Sequence, residues 1–160
     1  MKGVVVYDSY YGNTKVVAET IAEQIRLEGY EIELRNVRDR YPNPPQGDLL
    51  FLGSPVRMGS VTRRVKKYLK KLDKKIWNSK PIVMFTTILM QPENATDKQK
   101  ESREKYDIAA GRKLRDLAKS EGLKTIEKYL WVDVQGIKGP LVETGIEKTK
   151  EFTKDILKNL

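Results

Sequence analysis

Cysteine and histidine are both absent from this chain. Their absence excludes disulfides, thiolate and imidazole metal sites, cysteine nucleophiles and every serine–histidine arrangement. Redox work then requires a bound organic cofactor, because no remaining side chain is suited to two-electron chemistry. Apolar runs longer than a strand are also missing, as is a basic leader followed by an apolar stretch. The expectation is a soluble, cytoplasmic protein with no membrane span. No Pro/Gly/Ser-rich linker, repeat or low-complexity tract divides the 160 residues, a length that predicts one domain over 1–160 with a real core.

Acidic residues are the minority charge, 22 against 31 Lys and Arg, for a formal net charge of +9. Such a surplus suggests nucleic acid, an anionic membrane surface or an acidic protein as partner. Much of it lies in Arg63, Arg64, Lys66, Lys67, Lys70, Lys71, Lys74 and Lys75, interleaved with Val61, Val65, Tyr68, Leu69 and Leu72 at helical spacing. That pattern predicts the solvated face of one amphipathic helix capped by Ser60, or a docking patch for an acidic partner, ahead of nucleic acid. The many Lys and Glu together with the lack of Cys fit a thermophilic source.

Strands and helices alternate along the chain. Lys2 to Tyr7 is a Val-rich run suited to a doubly covered strand, and Val17, Ile21 and Ile25 form a helical stripe after it. Glu31 to Asn36 alternates as an edge strand, and the prolines at 42, 44 and 45 make the following crossover a loop. Leu49 to Leu52 and Pro81 to Thr87 are the next strands. A helix is expected from about Asp97 to Glu121, with Ala110, Leu114, Leu117 and Ala118 inward. Lys128 to Val134 makes a fifth strand, and a final helix buries Ile146, Phe152, Ile156 and Leu157. This order implies a right-handed parallel sheet covered on both faces.

In such sheets a ligand binds beyond the strand C-termini, at the point where the strand order switches. The loops there are Ser9 to Thr14, the turn-rich Gly53 to Gly59, and Thr86 to Gln91. Ser9 and Thr14 offer hydroxyls, Asn13 an amide, and Gly12 a close approach of backbone to an oxygen. A phosphate dianion is favoured at a helix N-terminus even without lysine or arginine in the loop. Neither a Walker sequence nor a Gly-x-Gly-x-x-Gly fingerprint is present, so triphosphate and dinucleotide ligands lose their usual signatures.

Ser9-Tyr10-Tyr11-Gly12-Asn13-Thr14 resembles the phosphate loop of the flavodoxin family, Gly53-Ser54-Pro55 the start of its second flavin loop, and Gly136-Ile137-Lys138-Gly139-Pro140-Leu141 a segment before the last helix in archaeal flavodoxin-like chains. The resemblance spans essentially the whole chain. It implies a doubly wound five-stranded sheet of order 2-1-3-4-5, helices on both faces, and non-covalent FMN. By the same resemblance Ser9, Asn13 and Thr14, with backbone from Tyr10 to Gly12, hold the phosphate. Pro55, Val56, Arg57, Met58 and Gly59 flank the ring on one side, and Thr86, Thr87, Ile88, Leu89 and Met90 line the other. The Gly59 peptide corresponds to one that turns its carbonyl toward the flavin.

Three departures stand out. Tyr11 replaces a common phosphate-binding Thr, the third loop lacks a stacking aromatic, and the chain is basic where flavodoxins are usually acidic. An Arg57 guanidinium ~6 Å from the ring would favour the reduced anion by roughly 3 kcal/mol at an effective dielectric of ~20. Two functions follow from the resemblance. One is an electron carrier between redox proteins, with acidic partners of ferredoxin type. The other is an FMN-dependent oxidoreductase acting on a small molecule, such as a quinone reductase, because Gly53 to Gly59 and the long segment after the fourth strand are also similar to flavodoxin-like protoporphyrinogen oxidases.

Overall fold

The computed structural model describes all of residues 1–160. Five strands form a parallel sheet: β1 (Lys2–Tyr7), β2 (Glu31–Asn36), β3 (Leu49–Arg57), β5 (Ile82–Leu89) and β6 (Thr125–Val134), side by side in the order β2-β1-β3-β5-β6. Counting these strands alone, this is the expected 2-1-3-4-5 order. A two-residue strand, β4 (Ser60–Val61), pairs antiparallel with the end of β3.

Alternation along the strands makes two cores. Val4, Val6, Leu50, Leu52, Ile82 and Met84 point to one face, covered by α2 (Arg63–Lys71), α3 (Lys74–Trp77) and α5 (Ala109–Ser120). Val5, Tyr7, Leu49, Phe51, Val83 and Phe85 point to the other, covered by α1 (Asn13–Leu27) and α6 (Gly145–Lys158). A strand buried on both faces has little room for a polar side chain, which is why β1 after Lys2 and the first half of β3 carry no charged residue.

Several boundaries differ from the sequence expectation. β3 does not turn at Gly53 but continues to Arg57, with Ser54 and Pro55 still in register with Thr86 and Thr87 of β5. Its β1 partner ends at the pair Tyr7–Gly53, so the missing Pro55 N–H falls where no strand accepts from it. The fully buried Ser54 hydroxyl then accepts from the Thr62 N–H at 2.9 Å and closes the base of the β3–β4 hairpin.

Ser60 is therefore in a strand, and the cap of α2 is Thr62, whose hydroxyl accepts from the Val65 N–H. The basic segment is two helices, not one. Leu72 adopts an extended conformation and Asp73 caps α3 through the Lys75 N–H, because aspartate satisfies a helix start better than it fills an interior. Val61 belongs to β4. The helix expected over 97–121 comprises α4 (Asp97–Ser102), a π-helical stretch at Arg103–Ile108, and α5. In α6, Ile156 is buried but Ile146, Phe152 and Leu157 are only partly so. Thr149 and Thr153 take the innermost positions, their hydroxyls donating back to the carbonyls of Gly145 and Thr149.

The proline loop after β2 is held by side chains: Arg35 donates to the Asn43 carbonyl at 2.7 Å and the buried Trp77 indole to the Pro45 carbonyl at 3.2 Å. No helix is long and apolar enough to cross a membrane.

Candidate functional site

β1 stops at Tyr7 while β3 and β5 run on, and a cleft of about 420 Å3 opens at that switch between neighbours. Its floor at one end is the turn from Ser9 into α1. Gly12 sits there in the left-handed region at φ 93°. The Ser9 hydroxyl accepts from the Gly12 N–H at 3.0 Å and the Lys15 N–H at 3.4 Å. A hydroxyl has two lone pairs and one hydrogen, so Ser9 has spent its acceptors and keeps a free O–H to donate.

The N–H groups of Tyr10, Tyr11, Asn13 and Thr14 donate to no protein acceptor, and Gly12, at the N-cap position of α1, provides no side-chain cap. α2, α3 and α4 are by contrast each capped by Thr62, Asp73 and Thr96. Four unpaired amide donors in one turn and a hydroxyl, with no carboxylate in the turn, fit a phosphate dianion.

Two of the predicted ligands have other partners as well. The buried Thr14 hydroxyl shares a 2.7 Å hydrogen bond with that of Thr87, tying the turn to β5. The Asn13 amide lies against Gly139, where an added Cβ would come within 2.3 Å of its oxygen, so a side chain at 139 would displace the amide.

Pro55, Val56, Arg57, Met58 and Gly59 line the cleft, and so do Thr87 and Leu89. Thr86, Ile88 and Met90 do not line the cleft, and the reason is the strand. β5 runs two residues past the expected end at Thr87, to Leu89, and alternate side chains of a strand point to opposite faces. Thr86 and Ile88 are buried away from the cleft, and Met90 lies just beyond the strand end. Gly12 is not among the lining residues, and its N–H is taken by the Ser9 hydroxyl.

Sequence reasoning missed Asp107, Val134 and Ile137 as lining residues. The position of Val134 at the C-terminal end of the last strand was the available signal, since that end faces the site in every parallel strand. Ile137 lies within the quoted Gly136 to Leu141 segment. Asp107 had no signal, because its placement follows from the π-helical turn, which was not legible.

Met58 and Gly59 are the two residues of the β3–β4 hairpin turn, both at positive φ, 52° and 74°. The Met58 side chain is fully exposed. Arg57 leans over the Tyr10 ring, 4.0 Å from its centroid, and makes no hydrogen bond or ion pair. No aromatic of the third loop lines the cleft, and Leu89 and Val134 are apolar lining residues there.

The family model describing a flavodoxin domain matches residues 4–150. The chain belongs to the flavodoxin family. Membership implies a flavin cofactor, and the unspent donors of the Ser9–Thr14 turn beside Pro55, Val56, Leu89 and Val134 suit the phosphate and ring of such a group. A flavodoxin of Aquifex aeolicus is 37% identical over 78 residues, which cover 48% of this chain and 42% of that protein, so the match spans less than half of the relative. An uncharacterised protein of Methanocaldococcus jannaschii is 27% identical over 99% of this chain and 100% of its own length. Among solved structures, a flavodoxin from the domain Archaea superposes with a TM-score of 0.74 at 16% identity, covering 99% of this chain and 98% of the other, a likeness of fold.

Proposed function

We propose that this flavodoxin-family chain binds FMN in the cleft and carries electrons between redox proteins of the cytoplasm. The observation that supports it most is the uncapped start of α1. Four amide N–H groups and the Ser9 O–H donor stay unspent at one end of a cleft whose lining also includes Pro55, Val56, Leu89 and Val134. Bound FMN would supply the electron transfer that no side chain here provides.

The protein's part is to bind, orient and exclude water. Ser9 and the amides of Tyr10, Tyr11, Asn13 and Thr14 would hold the phosphate, each charge-assisted bond worth roughly 1.5–3 kcal/mol. The Thr14–Thr87 bond fixes that turn relative to β5, so phosphate and ring are placed by one rigid frame. Pro55, Val56, Leu89 and Val134 offer apolar contact to the ring, and the open mouth beside Met58 leaves an edge within reach of a partner.

Titration of the purified chain with FMN tests this by quenching of flavin fluorescence. FMN is expected to bind tightly, riboflavin at least tenfold more weakly for want of about 1.4 kcal/mol or more of phosphate contact. Ser9→Ala with Thr14→Ala should narrow that difference, by removing the Ser9 donor and freeing the turn from Thr87. Absence of quenching, or equal affinity for riboflavin, would refute the assignment.

Arg57 favours a second reading. Its unpaired guanidinium at the cleft mouth suits an anionic small acceptor, in which case the chain is an FMN-dependent oxidoreductase. Steady turnover of a sulfonated quinone with a small-molecule reductant, and without any protein partner, would establish that reading over the carrier.

A further inference from the structure

Three guanidiniums gather round one exposed aromatic at the rim of the cleft. Arg38, just beyond β2, lies over the Tyr10 ring at 4.5 Å, and Arg57, at the end of β3, at 4.0 Å. Arg64, in the first turn of α2, donates to the Tyr10 hydroxyl at 3.4 Å. Like charges so close repel, and a fold keeps such a cluster only where something offsets it.

Little offsets it within the molecule. Arg38 donates through Nε to the fully buried Asp8 at 2.8 Å, which fixes its direction and leaves its terminal nitrogens free. Arg57 has no partner, and Arg64 has only the phenol. Each guanidinium carries five N–H donors, so most of the donors of this cluster are unspent.

Beside it stands the fully exposed Met58 at the hairpin tip. Arginine, tyrosine and methionine are the residues enriched at protein–protein interfaces, and an apolar tip next to planar cations suits a protein surface better than a uniform polyanion.

We infer that the Tyr10 rim, with Arg38, Arg57, Arg64 and Met58, is the docking site for an acidic redox protein that presents a cluster of carboxylates. The inference rests on the proposed carrier function. It confines the docking patch to the Arg64 end of α2 and excludes the lysines farther along the basic helices. Lys74 of α3 lies at the opposite end of the sheet, where the Trp77 carbonyl accepts from the N–H of Lys124 just before β6. Steering by the rim would also bring the partner to the cleft mouth, the place from which electrons have the shortest path.

The test is binding of a fluorescently labelled acidic ferredoxin, followed by anisotropy, with FMN affinity measured on the same protein samples. Binding is expected to weaken steeply between about 20 mM and about 200 mM salt. Arg64→Glu should weaken it about tenfold, and Lys74→Glu, the same charge change at the far end, less than about twofold, with FMN affinity unchanged in both. Asp8→Asn with Arg38→Gln should also weaken ferredoxin binding, the pairing of changes avoiding a stranded buried carboxylate.

Equal losses from Arg64→Glu and Lys74→Glu would overturn the inference, because diffuse net charge would then explain binding. So would no binding at low salt, or duplex DNA bound as tightly with the same dependence on Arg64. Failure of FMN to bind would strike the proposed function instead, and the ferredoxin measurement reads separately from it.

Discussion

Single residues show where alternation and hydrogen-bond inventory decide a role. Thr87 lines the cleft and Thr86 does not, although both are threonines one position apart, because β5 turns their side chains to opposite faces. Tyr68 offers a pH-dependent case outside the site. Burial pushes its phenol up to about 12 from 10.0, against the opposing charge of Arg35, and its oxygen has no hydrogen-bond partner.

Between those values the unfolded chain releases the proton and the folded chain retains it. The stability contribution is thus complete below pH 10 and lost as pH rises toward about 12. The loss should be on the order of 1–2 kcal/mol, given partial exposure of the ring, and Tyr7, also raised by burial, adds to the same limb. Urea unfolding of Tyr68→Phe should show stability within about 0.5 kcal/mol of the parent at neutral pH and a shallower alkaline decline. An unchanged decline would assign the limb to other groups.

At the scale of elements, the β3–β4 hairpin concentrates what the sequence hid. Gly53-Ser54-Pro55 has the composition of a turn, yet tertiary pairing with β5 holds it as strand, and the turn falls at Met58-Gly59. Gly59 is suited to positive φ, but Met58 is not, and its exposed side chain returns no packing. Met58→Asn should therefore stabilise the fold by about 0.5 kcal/mol and raise Tm by roughly 1–2 °C in calorimetry. A lower Tm would show that the methionine packs on something in solution. A residue kept in a costly conformation at the mouth of a binding cleft is consistent with function being served there rather than stability.

On the scale of the whole molecule, 31 cations face 22 acids. Much of this charge is held apart on exposed helix faces, so self-repulsion should be screened by salt. Tm is expected to rise from about 10 mM to about 200 mM sodium chloride. Phosphate at equal ionic strength should raise it further by filling the Ser9–Thr14 cradle, since a ligand of the folded state stabilises by mass action. A fall with added chloride would mean that the ion pairs outweigh the net repulsion.

The five strands and the glycine-containing turn before α1 were legible because they rest on local signals, whereas the strand order came only through the family resemblance. Burial on both faces demands unbroken apolar runs, and an anion-binding helix start demands small hydroxyl and glycine residues with no competing cap. The sequence by itself determined the absence of thiol and imidazole chemistry, the doubly covered parallel sheet and the Ser9–Thr14 turn. Only the tertiary structure decided that β3 reaches Arg57, that Thr86 and Ile88 face away, that Asp107, Val134 and Ile137 close the cleft, and that three arginines converge on Tyr10. Those features join residues from separate strands and helices, and no periodicity along one segment encodes which distant segment it will meet.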